Sequence, residues 1–173
     1  MLTEFIEPIQ LGKEQKILAG ELSLKSFERS RDLLLVAENI LHFTWRFDID
    51  QHDQVTALLT LKADLSLECQ RCQKPFSYHL DIDIPMKVVR NELEAEALPL
   101  ALQPLYIDAM GQCESLQVIE DEFILSIPEF PKHEKKDCDL GQNQAYYDTP
   151  SNGIEQNTYK PFANLKLLSK EKK

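Results

Sequence analysis

Glycine is scarce in this sequence, and long apolar runs are missing. Only 5 glycines occur among 173 residues, and no stretch matches a Gly-rich phosphate loop, a nucleophile elbow or a helical His-Glu-x-x-His. No segment approaches the roughly 18 consecutive apolar residues that cross a bilayer. The first residues carry Glu4 and Glu7 where a signal peptide carries positive charge. We therefore expect a cytoplasmic protein that is neither an enzyme nor bound to a membrane.

Positive charge is also in short supply. The chain has 19 Lys and Arg against 29 Asp and Glu, which gives a formal net charge of −10. Because this charge repels a phosphate backbone, free nucleic acid is a disfavoured ligand and a basic protein is a more natural partner. Residues 91–134 contain ten acids and one lysine, whereas residues 160–173 contain five lysines and one acid. The plain alternative for both runs is a solvated face.

The chain length suits one ordinary globular domain followed by a tail. Of the 173 residues, 43% are hydrophobic, which is enough for a single core. Beyond Phe130 the composition becomes polar and rich in turn residues, which is typical of a mobile tail. We therefore expect one α+β domain over residues 1–135, and a polar, partly disordered tail over residues 136–173 that ends in a short basic segment.

Two long stretches alternate between apolar and polar residues. From Val55 to Cys69 every odd-numbered residue is apolar or small, and from Phe76 to Val88 every even-numbered residue is apolar. Because side chains alternate between the two faces of a strand, this pattern predicts two long strands that each bury one face. The short break between them, "CQRCQK", predicts the tip of an antiparallel hairpin.

Other segments complete the predicted fold. The stretch "SFERSRDLLLVAEN", with Ser26 as a candidate N-cap, and the stretch "SLQVIEDEFILSIP", with Ser115 as a candidate N-cap, predict two helices. The stretches "HFTWRFDID" and "LYIDAMG" predict strands. Residues 91–104 predict a mostly irregular connection, and the N-terminal segment predicts a short extended run. The expected class is α+β, with two helices packed on a mainly antiparallel sheet that long strands can curl into a barrel-like form.

Cys69 and Cys72 lie at the predicted tip, with a spacing that several chemistries share. In a reducing cytoplasm a structural disulfide is disfavoured. Thioredoxin-like redox chemistry needs a helix directly after the pair to lower a thiol pKa, and here the next segment alternates as a strand. Two interpretations stay open: a metal site, or two small apolar side chains that pack at the end of the strand.

A structural zinc at the tip requires four ligands, and the cysteine pair supplies two of them. His133 and Cys138, in "PKHEKKDC", are the candidates for the other two, so the metal hypothesis is one Cys3His site that joins the tip to this later loop. In the alternative interpretation, His133 and Cys138 are solvated loop residues. Cys113 has no cysteine or histidine near it in sequence and is interpreted as an ordinary side chain.

The order of these motifs resembles one known family. The sequence "LSLECQRCQKPFSYHLDI" is followed by "EAEALP", by "VIEDEFILSIPEFPKHEKKDC" and by "KPFANL". This order closely resembles the bacterial YceD family, the large ribosomal RNA subunit accumulation proteins. The residues of this chain that match the family pattern are Cys69, Arg71, Cys72, Glu120, Asp121, Glu122, Pro128, Pro131, His133, Cys138, Pro161 and Phe162.

The resemblance implies a cytosolic, non-enzymatic factor that supports the accumulation of 23S rRNA and hence assembly of the large ribosomal subunit. It implies a large-subunit ribosomal protein or a pre-ribosomal particle as the partner, with 23S rRNA contacted directly or indirectly. The family supplies no settled mechanism, so the resemblance gives no matched residue a role.

Charge and resemblance together predict an adaptor. The acidic surface of residues 91–134 would engage a basic protein, Arg71 and the terminal lysines would contact RNA phosphate, and the Cys/His cluster would stiffen the hairpin tip. The candidate contact residues are Arg71, Glu120, Asp121, Glu122, Lys160, Pro161, Phe162 and Lys166.

Two alternatives from other classes stay open. A direct RNA-binding module that uses the Cys-x-Arg-Cys tip predicts binding to large-subunit RNA with a steep salt dependence. A thiol- or metal-dependent enzyme predicts a cysteine thiolate that reacts unusually fast near neutral pH. The net charge disfavours the first alternative, and the strand after the cysteine pair disfavours the second.

Overall fold

A computed structural model of the protein describes residues 2–35, 39–134 and 137–138. The described strands are, in chain order, β1 (Phe5–Ile6), β2 (Ile17–Ser23), β3 (Ile40–Ile49), β4 (Val55–Glu68), β5 (Pro75–Val89), β6 (Gln103–Tyr106) and β7 (Cys113–Glu114). The described α-helices are α1 (Pro8–Lys13), α2 (Glu92–Glu96) and α3 (Ser115–Ser126). None of these helices is long and apolar enough to span a membrane.

Strands β4 and β5 form the longest pairing in the main sheet. They run antiparallel in a continuous register from Thr56 opposite Lys87 to Glu68 opposite Pro75, and residues 69–74 connect them. The odd-numbered side chains of β4 between Ala57 and Leu67 are buried. Because side chains alternate across a pleated strand, this register holds the whole apolar row of β4 against one core.

The main sheet is mixed and open. Its strands lie in the order β2, β3, β4, β5, β6; the first four pair antiparallel, and β6 pairs parallel to β5. A separate antiparallel pair joins β1 to β7. The predicted α+β class with a largely antiparallel sheet is therefore confirmed. The barrel-like form is not present, because β2 and β6 remain the two edges of the sheet within the described ranges.

The core lies on one face of this sheet, and α3 contributes to it. Trp45 and Phe47 of β3 are buried with the apolar row of β4. Ile119 and Phe123 of α3 are fully buried in the same cluster. The ring of Phe123 meets the ring of Phe27 edge-on, with centroids 5.5 Å apart, a favoured aromatic geometry. The predicted α3 is confirmed as a helix that ends before Pro128.

The helix predicted for "SFERSRDLLLVAEN" is wrong over its described part. Two short 3-10 turns, Leu24–Ser26 and Arg31–Leu33, occur there instead, so Ser26 ends a turn and does not cap a helix. The backbone N–H of Leu35 donates to the carbonyl of Ser66, and Phe27 packs on α3. This bond to β4 and the packing on α3 replace the contacts that an isolated helix would make, so tertiary contacts override the helical spacing here.

Three smaller predictions also need correction. The N-terminal run contains α1 as well as the strands β1 and β2, and the connection 91–104 contains α2. Asn91 is the N-cap of α2, and its side chain accepts the N–H of Glu94. Glu114, not Ser115, is the N-cap of α3, and the Ser115 hydroxyl donates to the carbonyl of Thr3.

The two faces of β4 give a direct stability test. Leu59 is fully buried, whereas its neighbour Leu58 lies on the opposite face and is only partly buried. We expect Leu59→Ala to lower the free energy of unfolding by about 2–5 kcal/mol, because it leaves a cavity in the core. Leu58→Ala is the matched control and should cost about 1 kcal/mol or less. Equilibrium denaturation measures both, and equal losses would contradict the strand register.

Candidate metal centre

The tip between β4 and β5 is a tight turn that places Cys69 and Cys72 close together. The backbone N–H of Gln73 donates to the carbonyl of Cys69 over 2.8 Å, and the N–H of Cys69 donates to the carbonyl of Lys74 over 3.0 Å. Gln73 has a φ of 58°, the left-handed conformation that reverses the chain immediately after the second cysteine. Cys69 is buried at the end of the apolar row of β4, and Cys72 is half-buried.

The segment after α3 returns to this tip. The N–H of Gln70 donates to the carbonyl of Pro131 over 2.9 Å, and the Gln70 side chain reaches the carbonyl of Glu129 at 3.4 Å. The ring of His133 packs against the ring of Phe76 on β5, with centroids 5.0 Å apart. Backbone and ring contacts therefore hold residues 129–133 beside the tip.

This arrangement brings together all four predicted ligands. The Sγ atoms of Cys69, Cys72 and Cys138 and one ring nitrogen of His133 all lie within 4.8 Å of one another. The two Sγ atoms of Cys69 and Cys138 are 3.9 Å apart. The Sγ of Cys72 is 3.4 Å from His133 Nδ1.

These distances fit a tetrahedral metal site. Zinc bonds of about 2.3 Å to sulfur and about 2.0–2.1 Å to nitrogen imply edges of about 3.8 Å between two sulfurs and about 3.5 Å between sulfur and nitrogen. The separations of 3.9 Å and 3.4 Å are close to these edges. Three thiols and one imidazole also form a donor set that suits zinc. The residues present could therefore hold one ion with four protein ligands.

The backbone around Cys69 favours its thiolate form. Burial is the largest single effect and raises the pKa of Cys69, but hydrogen bonds from the backbone N–H groups of Cys72, His133 and Arg71 together outweigh it and lower the pKa to about 5. The N–H of His133 lies 3.5 Å from the sulfur. Burial, followed by the neighbouring sulfurs, raises the pKa of Cys138 to about 11. A buried thiolate needs compensation by donors or by a cation, and a metal ion supplies the cation.

Cys113 lies apart from this cluster. It is buried at the end of the β1–β7 pair. Burial, followed by the charge of Asp108, raises the pKa of Cys113 to about 12. This thiol therefore stays protonated and packs as a small apolar side chain, as a structural cysteine does.

The three acids on α3 differ in their surroundings. Glu120 is only 7% exposed, and its carboxylate accepts the backbone N–H groups of Arg29 and Ser30 at 2.8 Å and 3.3 Å. Asp121 pairs with the Arg29 guanidinium. Burial, followed by the neighbouring charge of Asp121, raises the pKa of Glu122. Glu120 thus ties α3 to residues 29–30, while Asp121 and Glu122 are only partly buried.

Sequence reasoning missed the internal role of Glu120, although a pattern could have found it. Glu120 lies beside Ile119 and three residues before Phe123, on the apolar stripe of α3. A carboxylate on a buried stripe needs partners, and such positions indicate an internal hydrogen-bond acceptor. The partners at residues 29 and 30 carry no comparable sequence pattern.

The remaining predicted contact residues are only partly covered by the structure. Arg71 lies at the tip and is half-buried. The other four, Lys160, Pro161, Phe162 and Lys166, and most of the predicted tail lie outside the described residues.

Comparisons with known proteins point to one family. A family model described as "Large ribosomal RNA subunit accumulation protein YceD" matches residues 58–169. The chain is 26% identical to the large ribosomal RNA subunit accumulation protein YceD of Haemophilus influenzae over 163 residues, which cover 93% of this chain and 94% of that protein. No solved structure matches.

The left-handed residue at the tip gives a prediction of its own. Because glycine adopts positive φ without the cost that other residues meet, we expect Gln73→Gly to raise the free energy of unfolding by up to about 1 kcal/mol. Lys74→Gly, at a neighbouring position without positive φ, is the control and should lower it. Thermal denaturation of the two variants beside wild type measures the effect. A loss of stability in both would show that the conformation of Gln73 is not strained.

Proposed function

The chain belongs to the YceD family of large ribosomal RNA subunit accumulation proteins, and we propose that it supports the accumulation of 23S rRNA during large-subunit assembly. It acts without catalysis, as an adaptor between a basic large-subunit protein, or an assembling particle that contains one, and the RNA. The relative's printed name supports the RNA part of this proposal. The adaptor part of the proposal rests on the negative charge of residues 91–134.

The main observation in support of the adaptor function is the distribution of acids between residues 91 and 134. Seven of the ten carboxylates in this stretch belong to exposed residues. Exposed carboxylates attract basic proteins and speed their encounter, and they repel free RNA. The exposed acids are Glu92, Glu94, Glu96, Asp108, Glu114, Glu129 and Glu134.

The proposed function includes one structural zinc ion bound at the hairpin tip. Cys69, Cys72, His133 and Cys138 supply four ligands, which leaves no position for a substrate and favours a structural over a catalytic ion. The ion would clamp residues 129–138 onto the tip. This clamp keeps Arg71 at a defined place on the surface.

RNA contact is assigned to the tip and to the basic end of the chain. The Arg71 side chain has no hydrogen-bonding or ionic partner within the described ranges, so its guanidinium is available to a phosphate. Lys160 and Lys166, with Pro161 and Phe162 between them, provide the second proposed contact.

A direct RNA-binding module remains the second candidate, because Arg71 is unpaired at the tip. That function would show as tight, strongly salt-dependent binding of the isolated protein to 23S rRNA fragments. The adaptor instead requires the basic partner for strong association with RNA. A thiol- or metal-dependent enzyme has less support, because the Cys69 thiol is buried.

The metal hypothesis predicts a spectroscopic signature. We expect the reduced, metal-free protein to bind one Co²⁺ and to show the sulfur-to-cobalt charge transfer and strong visible bands of a tetrahedral thiolate site. Zn²⁺ should displace the cobalt and abolish these bands. His133→Ala and Cys138→Ser should weaken or lose them, because each removes one ligand.

Cys113→Ser is the matched control for this titration. It removes a buried cysteine that lies outside the cluster, so its cobalt spectrum should equal that of wild type. Identical spectra for wild type, His133→Ala and Cys138→Ser would show that the later loop does not bind the ion.

The functional proposal predicts an effect on ribosomal RNA. In a bacterium that lacks its own family member, we expect the wild-type gene to restore the ratio of 23S to 16S rRNA. The protein should co-sediment with large-subunit precursors in a density gradient. Deletion of residues 160–173 should reduce this co-sedimentation, because the basic RNA contact is lost. A normal rRNA ratio without the protein would overturn the proposal, and unchanged co-sedimentation of the deletion variant would remove the tail from it.

A further inference from the structure

A groove of about 520 Å³ lies between α3 and the strand β6. We propose that this groove binds a basic segment of the protein partner, with an apolar side chain on its floor and lysine or arginine side chains against its acidic walls. This inference rests on the adaptor function proposed above and locates the surface on which that function acts.

The floor of the groove is apolar, and its rim is aromatic. Met86, Leu105 and Ile107 form the floor, and each is at most 6% exposed. At the rim, Phe5 is 51% exposed and Tyr106 is 44% exposed. Exposed aromatic side chains beside a buried apolar floor are typical of protein-binding pockets, because they lose water on contact with little loss of side-chain freedom.

Among the described residues, the walls carry negative charge only. Asp108, Glu114, Asp121 and Glu122 line the groove, and no lysine, arginine or histidine of the described ranges does so. Arg29 pairs with Asp121 from outside the lining and neutralises part of this charge.

Two of the four carboxylates are free to accept a ligand. The side-chain carboxylates of Glu114 and Glu122 have no hydrogen-bonding or ionic partner among the residues that the structure describes. Burial and the charge of Asp121 raise the pKa of Glu122, so this carboxylate lacks a compensating cation. A lysine or arginine from a partner would supply that cation.

Two acids beside the rim, Glu92 and Glu7, add to the negative electrostatic potential of the groove. The Tyr106 hydroxyl donates to Glu92 over 2.9 Å, and the Gln112 side chain donates to Glu7 over 3.1 Å. Both carboxylates therefore stand next to residues that line the groove. This negative field repels phosphate, so an RNA segment is excluded as the occupant, and charge complementarity selects a basic peptide segment.

A peptide-binding measurement tests the inference on the full chain. The probe is a fluorescein-labelled peptide in which lysine and arginine alternate with leucine, and fluorescence anisotropy at low ionic strength gives its dissociation constant. We expect Glu114→Gln/Glu122→Gln to weaken binding by about tenfold, the sum of two modest ion pairs. Thermal denaturation verifies that the variant is folded.

The matched control removes the same net charge elsewhere. Asp64→Asn/Asp81→Asn neutralises two exposed acids on β4 and β5, neither of which lines the groove. Its affinity should stay within about twofold of wild type, because exposed charges outside a binding site contribute little. Equal weakening by the two double variants would show that peptide affinity depends only on the total charge of the protein. This result would contradict the groove as the binding site.

Two further measurements test the apolar floor and the link to the adaptor function separately. Replacement of leucine by serine in the peptide should weaken binding, and no change would overturn the apolar floor as an anchor. Co-sedimentation of Glu114→Gln/Glu122→Gln with large-subunit precursors should fall. If this variant co-sediments like wild type, the groove is wrong while the adaptor function stands. If wild type itself does not co-sediment, the adaptor function fails.

Discussion

The antiparallel pairing of β4 with β5 is the constraint on which the rest of the structure depends. Its register buries the apolar row of β4 and ends that row at Cys69, so the first cysteine enters the tip already desolvated. A thiol in this position is stabilised as a thiolate because backbone N–H groups of the tight turn and of His133 point at it. The tip is therefore a preformed half-site, and its other half arrives with the residues that follow α3.

Helix α3 connects this half-site to the acidic groove. Its middle part supplies Asp121 and Glu122 to the groove, while the chain beyond its last residue carries His133 to the tip. Glu120 and Phe123 fix the helix from the other side, by hydrogen bonds to residues 29–30 and by contact with Phe27. One short helix thus positions both the proposed metal clamp and the proposed partner surface, so a change in its packing would reach both.

Local patterns in the sequence were sufficient for some of these features and not for others. The alternating residues of β4 indicate which side chains are buried, because a pleated strand has a period of two. The stretch "SFERSRDLLLVAEN" predicted a helix that does not form over its described residues, because this segment bonds to Glu120 and Ser66, which are distant in sequence. Helix α2 was missed because it is only five residues long and buries none of them.

The candidate ligands could be chosen by residue type, since three cysteines and one histidine suit zinc. The close approach of the four ligands could not be derived from sequence, because it depends on the bond between Gln70 and the carbonyl of Pro131 and on the contact of His133 with Phe76.

Native mass spectrometry of protein purified without chelator tests the central claim, the zinc clamp at the tip, most directly. We predict one zinc ion per chain in wild type and none in Cys69→Ser/Cys72→Ser. Freshly reduced wild type without metal would contradict the clamp and leave the cysteines as packing residues.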